Sequence, residues 1–371
     1  MEWEKIIRYE KPGKRRKIHT LPGGEEVFVH GRSLIIVPPD SGRAVLSSAA
    51  SNGGYFEGPS AITNTTSLGG DAGAELMMAG RNAHERYWEL SMENIGVDPL
   101  TTVGLGTAVT MDKASITTES SGGITVSAVV TAGVEGNGGR AGDPATYNEL
   151  DNAIDGTIVI ILIIDANLPP HAMARAIITA TEAKTCVLQQ LMARSLYSHG
   201  IASGTGTDQV AVVCNRNSDV TLHSAGKHSL LGELIGKCVM KGVYAALDNW
   251  ASLTPLSQRD VLKRIERYGI TEDDVLEHCE WADRETAGNN LRRISSDGRL
   301  VSAVASVLHI EDEIGWGLLD PAEGRSVGNG IIVKSFSEIL GANLAGDIDP
   351  DGDLIGNITA ALGMSLSKPL P

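Results

Sequence analysis

Cysteine is scarce here. The four present (Cys186, Cys214, Cys238 and Cys279) are widely spaced and form no CxxC pair. That spacing implies neither a disulfide framework nor a zinc site, and three of them lie in apolar segments where a thiol behaves as a small hydrophobe. The histidines show no HxH or HxxxH cluster, so no catalytic metal is expected. The longest apolar run, Ile158 to Ile164, is far too short to span a membrane. The first twenty residues are charged and carry no signal-peptide pattern, so a cytoplasmic protein is expected. Basic residues are also in deficit, 31 against 46 acidic, for a formal charge of −15. Such a surface repels polyanions, which argues against a nucleic-acid partner. The one locally basic stretch, Lys11 with Lys14 to Lys17, reads as a solvated loop.

What is present is a set of glycine, threonine and aspartate clusters at the ends of apolar strands. They are VGLGTAVTMDKAS (103–115), VTAGVEGNGGRAGDP (130–144), DGTIVIILIIDANL (155–168), ATEAKT (180–185), SGTGTDQVAVVC (203–214) and SAGKHSLLGELIG (224–236). Purely structural glycine loops rarely collect so many hydroxyl, amide and carboxylate groups at strand ends, whereas a site that holds and acts on a polar ligand needs them there. An enzyme is the leading reading.

Hydrophobic residues make up 42% and charged residues 21% of 371, enough for one large domain or a main domain with an extension. Short strands are expected within 27–37 and 43–50, a turn over 51–58, and a helix over 71–94. Residues 101–110 and 122–133 read as strands ending in glycine. IVIILII is apolar on both faces, as a central covered strand should be. Pro169 and Pro170 suit the start of a helix running to about Tyr197, DQVAVVC is a further strand, and a second helix runs from about Ser229 to Leu247. The order predicts an α+β (layered α/β) fold, with a central mixed sheet containing a fully buried strand and covered by helices. The character changes near Asn249 to charged, amphipathic helices with a turn at Gly269. Three segments follow: 1–40 as an N-terminal strand segment, 40–249 as the catalytic domain, and 250–371 as a mainly helical extension of unassigned role.

The motifs SSAASNGG (47–54), GLGTA (104–108), TAGVEGNGGRAGD (131–143), GTIVIIL (156–162), ATEAKT (180–185), GTGTDQVAV (204–212) and GKHSLLGELIG (226–236) resemble, in order, those of the adenosylcobinamide amidohydrolases of cobamide salvage. The resemblance covers about 40 to 247. It implies hydrolysis of the secondary amide joining the corrin propionyl side chain to aminopropanol, releasing adenosylcobyric acid. The corrinoid is then the substrate, and no separate cofactor is implied. A weaker resemblance links GTIVIILIIDANLPPHAMARA to the β-peptidyl aminopeptidase and ornithine acetyltransferase superfamily. There a serine or threonine opens an apolar strand, and the precursor is cut just before it to free an α-amine as base. The corresponding position is Thr157, so the implied cut is at Gly156–Thr157.

Amide hydrolysis needs a nucleophile, donors for the oxyanion and a proton donor for the leaving amine. Thr157 reads equally as that nucleophile or as a β-branched residue opening a strand. Asn52, with Gly53 and Gly54, could supply oxyanion donors or simply make a turn. Asn137 has the same two readings, and Arg140 and Asp143 in its loop tilt towards ligand contact. Lys184 could point to the sheet's end and meet a carboxylate, or stand exposed with Glu182. Thr205, Thr207 and Asp208 sit in a glycine-rich turn that lets backbone approach a ligand, without the GK[ST] of a phosphate loop. Asp165 could orient a donor or cap the helix near Pro169, and the cap is the favoured reading. His228 is the histidine favoured as acid, base or ligand donor, set against an ordinary capping role, and Glu233 five residues on is not assured as its partner. Asp347, Asp349, Asp351 and Asp353 begin like a calcium loop, but Ile358 stands where its bidentate glutamate belongs, so an acidic turn is the better reading. The rivals to a corrinoid amidohydrolase are a non-catalytic corrinoid-binding protein and an amidase or acyltransferase acting on another amide.

Overall fold

Seven consecutive large aliphatics from Ile158 to Ile164 cannot turn either face to water, and all seven are buried. The computed structural model describes residues 1–49, 51–145, 157–279, 283–341 and 343–366, with the backbone alone at 77 and 81. The chain divides into two units, Met1–Thr254 and Pro255–Pro371. In order, the first unit runs α1 (Glu2–Tyr9), β1 (Arg16–Thr20), β2 (Glu26–His30), β3 (Ser33–Val37), β4 (Arg43–Ser47), β5 (Gly54–Glu57) and β6 (Ala61–Thr66). Next come α2 (Gly70–Met78), α3 (Arg81–Asn94), β7 (Thr102–Thr107), β8 (Ser115–Ser121), β9 (Ile124–Ala132) and the short β10 (Gly138–Gly139). Then follow β11 (Ile158–Ile164), α4 (Pro170–Gln190), β12 (Gly204–Thr205), β13 (Gln209–Asn215) and α5 (Leu230–Ala251).

Two mixed sheets carry this unit, one ordered β1-β2-β3-β6-β7 and the other β5-β4-β13-β11-β9-β8. β11 lies inside the second sheet, parallel to β13 and antiparallel to β9. Its alternating side chains separate two cores. Ile158, Ile160, Leu162 and Ile164 pack with Ala176, Ala180 and Val187 of α4 and with Ile235 and Val239 of α5. Val159, Ile161 and Ile163 point the other way and meet Leu34, Ile36, Ile62, Val103 and Leu105 of the first sheet. On the far side of that sheet, Trp3, Ile7, Tyr87 and Leu90 hold α1 and α3 together, and the Tyr87 hydroxyl donates to the Thr66 carbonyl at 2.8 Å. The unit is thus layered helix, sheet, sheet, helix. The layered α+β expectation holds, and so does the central covered strand.

Several local expectations are corrected. Residues 51–58 are more than a turn, because Gly54–Glu57 pair antiparallel with β4 as an edge strand. The helix over 71–94 is two helices, broken where Gly80 takes φ +80°. The helix from Pro170 stops at Gln190 rather than Tyr197. Met192 enters the left-handed region at φ +52°, and Ala193 and Ala202 are joined by a backbone hydrogen bond that folds the segment back. Asp165 does not cap that helix: its carboxylate accepts from Asn215 Nδ2 at 2.8 Å, and the cap position is Pro169. His228 lies on the turn ahead of the second helix. α5 starts at Leu230, and the Ser229 hydroxyl caps it by accepting the Gly232 N–H at 3.0 Å.

Cys214 and Cys238 are buried free thiols, and burial pushes Cys238 up to about 11, which keeps it protonated. The second unit is helical: α6 (Val261–Ile265), α7 (Glu272–Leu276), α8 (Arg284–Ser295), α9 (Gly298–Gly315), α10 (Pro321–Leu340) and α11 (Leu354–Leu366). Its own core includes Leu291, Leu300, Val304, Ile332, Phe336 and Ile358. Gly269 ends a helical turn at φ +80°, as its position in the sequence suggests. Asp312 grips the buried Arg267 through two hydrogen bonds of 2.8 and 2.6 Å and accepts a third from the Tyr268 hydroxyl. The acidic segment before α11 is a turn, in which Asn329 and Asn357 donate to the carbonyls of Pro350, Gly352 and Asp349.

Truncating a β11 residue that faces the other sheet should open a cavity that rigid layers cannot close. Ile161→Ala is expected to cost about 2–5 kcal/mol in chemical denaturation of the whole chain. A loss under about 1 kcal/mol would mean that the two sheets are not tightly packed across this strand.

Candidate active site

The parallel register that sets Val159 beside Gln209 also brings the residues just before them together. Thr157 and Ile158 therefore lie against Thr207 and Asp208. The Thr157 hydroxyl donates to the Thr207 carbonyl, and the Ile158 N–H donates to Asp208 Oδ1 at 3.1 Å. Asp208 Oδ1 also accepts the Thr205 hydroxyl at 2.7 Å, and Oδ2 accepts from Lys184 Nζ. Lys184 reaches the carboxylate from the buried face of α4 and is only 5% exposed. One carboxylate thus ties the start of β11, the glycine loop ahead of β13 and helix α4 into a single node. Gly204 makes room for it: a Cβ there would sit 2.1 Å from Asp208 Oδ2 and 2.4 Å from Lys184 Nζ.

Beside this node opens a cleft of about 660 Å³. Its walls are two glycine-rich segments, within 137–145 and 203–208, with Thr181, Lys184 and Thr185 of α4 and Tyr197. The walls are stitched by the β10–β12 pairing, by the Ser203 N–H donating to the Gly139 carbonyl at 2.9 Å, and by the Ala141 N–H donating to Ser203 Oγ at 2.9 Å. Lys184, Thr207, Asp208, Asn137 and Arg140 all line this cleft. Thr157 is 3% exposed and is not on the cleft wall; it lies behind Thr207, to which its hydroxyl is bound. The proposed cut at Gly156–Thr157 lies partly outside the described residues.

Asp143 anchors the outer loop. Partial burial acts to raise its pKa, but hydrogen bonds from the Ser195 and Ser198 hydroxyls, the Arg140 N–H and the Arg140 charge hold the carboxyl below its usual value. A depressed folded pKa means that this loop contact stabilises above the unfolded pKa of Asp143 and weakens as pH falls through the folded one.

Three sequence expectations do not join this group. Asn52 adopts φ +50° in a turn, and its side-chain N–H groups donate to the carbonyls of Pro99 and Thr102, both at 2.8 Å. Its donors are therefore occupied in bracing the turn and do not face the cleft. Gly53 belongs to that same turn, and Gly54 opens β5. Gly53 is needed because a Cβ would lie 2.2 Å from the Ala49 carbonyl oxygen, and Gly54 because it takes φ +80°. His228 stands on an exposed turn ahead of α5, away from the cleft lining, while Glu233 pairs with Lys237 at 2.5 Å. Tyr197 and Ser195 carry no functional signal in the sequence, where a helical periodicity continues through them. The run of Ser195, Ser198, Gly200 and Ser203 is the signal that a loop, not a helix, follows Leu191.

Among the described residues, no group of three or more His, Cys, Asp or Glu side chains is placed to hold a metal, and no helix is long and apolar enough to cross a membrane. The sequence profile of the adenosylcobinamide amidohydrolase (CbiZ) family matches residues 18–255. The chain belongs to that family. A curated relative, the uncharacterized protein MJ1613 of Methanocaldococcus jannaschii, is 38% identical over 179 residues, covering 44% of this chain and 69% of its own length. Among solved structures, the PH0078 protein of Pyrococcus horikoshii matches at 16% identity and a TM-score of 0.28, over 69% of this chain and 89% of its own. A Burkholderia sp. beta-aminopeptidase matches at 14% identity and 0.28, over 63% and 82%. At those scores neither structure carries anything about the chemistry of this chain.

The node predicts an asymmetry between neighbouring glycines. Gly204→Ala forces Lys184 and Asp208 apart and should cost about 1–3 kcal/mol in denaturation. Gly206→Ala, whose Cβ meets nothing closer than Asn137 Nδ2 at 3.4 Å, should lie within about 1 kcal/mol of wild type. Equal stability of the two variants would show that the ion pair does not depend on the space at 204.

Proposed function

We propose that this chain hydrolyses the amide between the corrin propionyl group and aminopropanol of adenosylcobinamide, giving adenosylcobyric acid and 1-aminopropan-2-ol. Membership of the amidohydrolase family over residues 18–255 supports this reading. The observation that carries it furthest into this chain is the position of Thr157. A hydroxyl stands at the mouth of a fully buried strand, behind the wall of a polar cleft and hydrogen-bonded to Thr207 on that wall. A cleft of about 660 Å³ is smaller than a corrin with its upper ligand, so the amide-bearing arm and one edge of the ring would enter it.

In the proposed reaction the Thr157 hydroxyl, covered by Thr207 and bound to its carbonyl in this structure, is first released from that contact; Oγ1 then attacks the amide carbon and gives up its proton to a base. Cutting before Thr157 would supply that base as the residue's own α-amine. The carbonyl oxygen takes up the negative charge, which N–H donors on the cleft wall would balance. The C–N bond then breaks, and aminopropanol leaves with the proton returned from the base. Water hydrolyses the resulting ester and restores the threonine. Asp208 and Lys184 keep the Thr157–Ile158 segment and the cleft loop in register throughout. Lys184, Thr207, Asp208 and Arg140 have a second role in contacting the amide-rich substrate.

Two measurements test this. Thr157→Ala should lower turnover of adenosylcobinamide by several orders of magnitude while corrinoid binding persists, and Thr157→Ser should keep part of the activity. A fully active Thr157→Ala enzyme ends the nucleophile assignment, and a wild-type chain that binds corrinoid without releasing aminopropanol is a binding protein instead. Intact mass of the purified protein reports the base separately. An active chain uncut before Thr157 rules out the α-amine.

A further inference from the structure

Hydrogen-bonding capacity in the cleft is spent unevenly between its acids and its bases. Both carboxylates that line it are engaged. Asp208 receives the Ile158 N–H and the Thr205 hydroxyl on Oδ1 and Lys184 on Oδ2. Asp143 Oδ2 accepts the Ser195 hydroxyl at 2.5 Å and the Arg140 N–H at 2.8 Å. The two cations on the same walls keep donors unused. Lys184 is only 5% exposed, and its ammonium donates to Asp208 and to no other acceptor among the described residues. The Arg140 guanidinium has no hydrogen-bond acceptor among them, and its stem lies over Gly200, where a Cβ would come within 2.8 Å of Cδ. Guanidinium and ammonium groups donate and never accept. Charge in this lining therefore balances, while the hydrogen bonds left to offer a ligand from its charged groups are donors.

From this imbalance, and resting on the amidohydrolase reading above, we propose that the cleft is a carboxylate site in which Arg140 and Lys184 retain the acid product. Hydrolysis turns a neutral amide into a carboxylate, which brings the acceptor oxygens that these two cations lack. The carboxylate ends a flexible propionyl arm, free to swing onto the wall once its link to aminopropanol is cut. A guanidinium binds a carboxylate through two parallel N–H···O bonds, which are stronger than those it makes to a neutral amide. Burial of Lys184 keeps water from one side of the contact and strengthens it further. The acid accordingly binds more tightly than a neutral corrinoid amide, and accumulated product slows turnover by occupying the cleft.

Equilibrium binding to the full chain tests this with two probes that differ in charge alone, adenosylcobyric acid and its primary amide. The acid should bind at least about tenfold more tightly to wild type. Arg140→Gln, a change at an exposed side chain, should shrink that preference to less than about threefold. Lys184 stays in place, because removing it would strand the buried Asp208 carboxylate. Equal affinity of wild type for the two probes overturns the proposal, as does a preference that survives Arg140→Gln. Inorganic phosphate serves as the free anion. If it binds while acid and amide bind alike, the cleft takes a small oxyanion and the product role falls. Turnover is read separately, as release of aminopropanol. A chain that prefers the acid without turning over loses the amidohydrolase reading and keeps the carboxylate site. One that turns over with no preference keeps the reading and loses the site.

Discussion

The first unit depends on one constraint: β11 has no face that tolerates water. Ile158, Ile160, Leu162 and Ile164 demand a helical layer on one side, and Val159, Ile161 and Ile163 demand a second sheet on the other. A strand covered on both sides is held more firmly than any loop, so the residue at its mouth inherits a fixed position. That residue is Thr157, and the node around it is built from what the strand's neighbours deliver. β13 runs parallel to β11 and brings Thr207 and Asp208 alongside, while α4, packed across the same face, brings Lys184.

Asp208 converts this packing into electrostatic order. Its two oxygens receive a backbone N–H, a threonine hydroxyl and an ammonium from three different elements. A lysine as deeply buried as Lys184 is tolerated because its charge is matched there. Burial of such a pair is weak evidence for stability in itself, and its value here is register: it aligns the start of β11 with the loop that lines the cleft. The outer wall follows the same logic through Asp143, which collects donors from Ser195, Ser198 and Arg140.

Much of this was legible in the chain. The length and apolarity of IVIILII announced the central strand, and the glycine clusters marked the loops that became the cleft walls. Lys184 stood out as a cation among small residues with room to reach a carboxylate. Two of the misreadings share a cause. Asn52, His228 and Asp165 each carry suitable chemistry, but the hydrogen bonds of Asn52 and Asp165 run to partners far along the chain. Asn52 braces Pro99 and Thr102, and Asp165 accepts from Asn215. Spacing along the chain does not reveal such partners. Tyr197 was hidden for the opposite reason, since the periodicity before it continued plausibly past the point where Met192 turns left-handed.

By itself the sequence determined the family, the layered α+β class, the buried strand and the polar glycine loops, because these rest on composition, order and periodicity within short windows. Only the tertiary structure decided which polar groups meet. The parallel register of β11 on β13 selected Thr207 and Asp208 as the neighbours of Thr157, and the path of α4 selected Lys184 as the partner of Asp208. The backward fold after Leu191 placed the Tyr197 hydroxyl on Asn137. Each of these contacts joins residues at least 24 positions apart, across separations that no local pattern encodes.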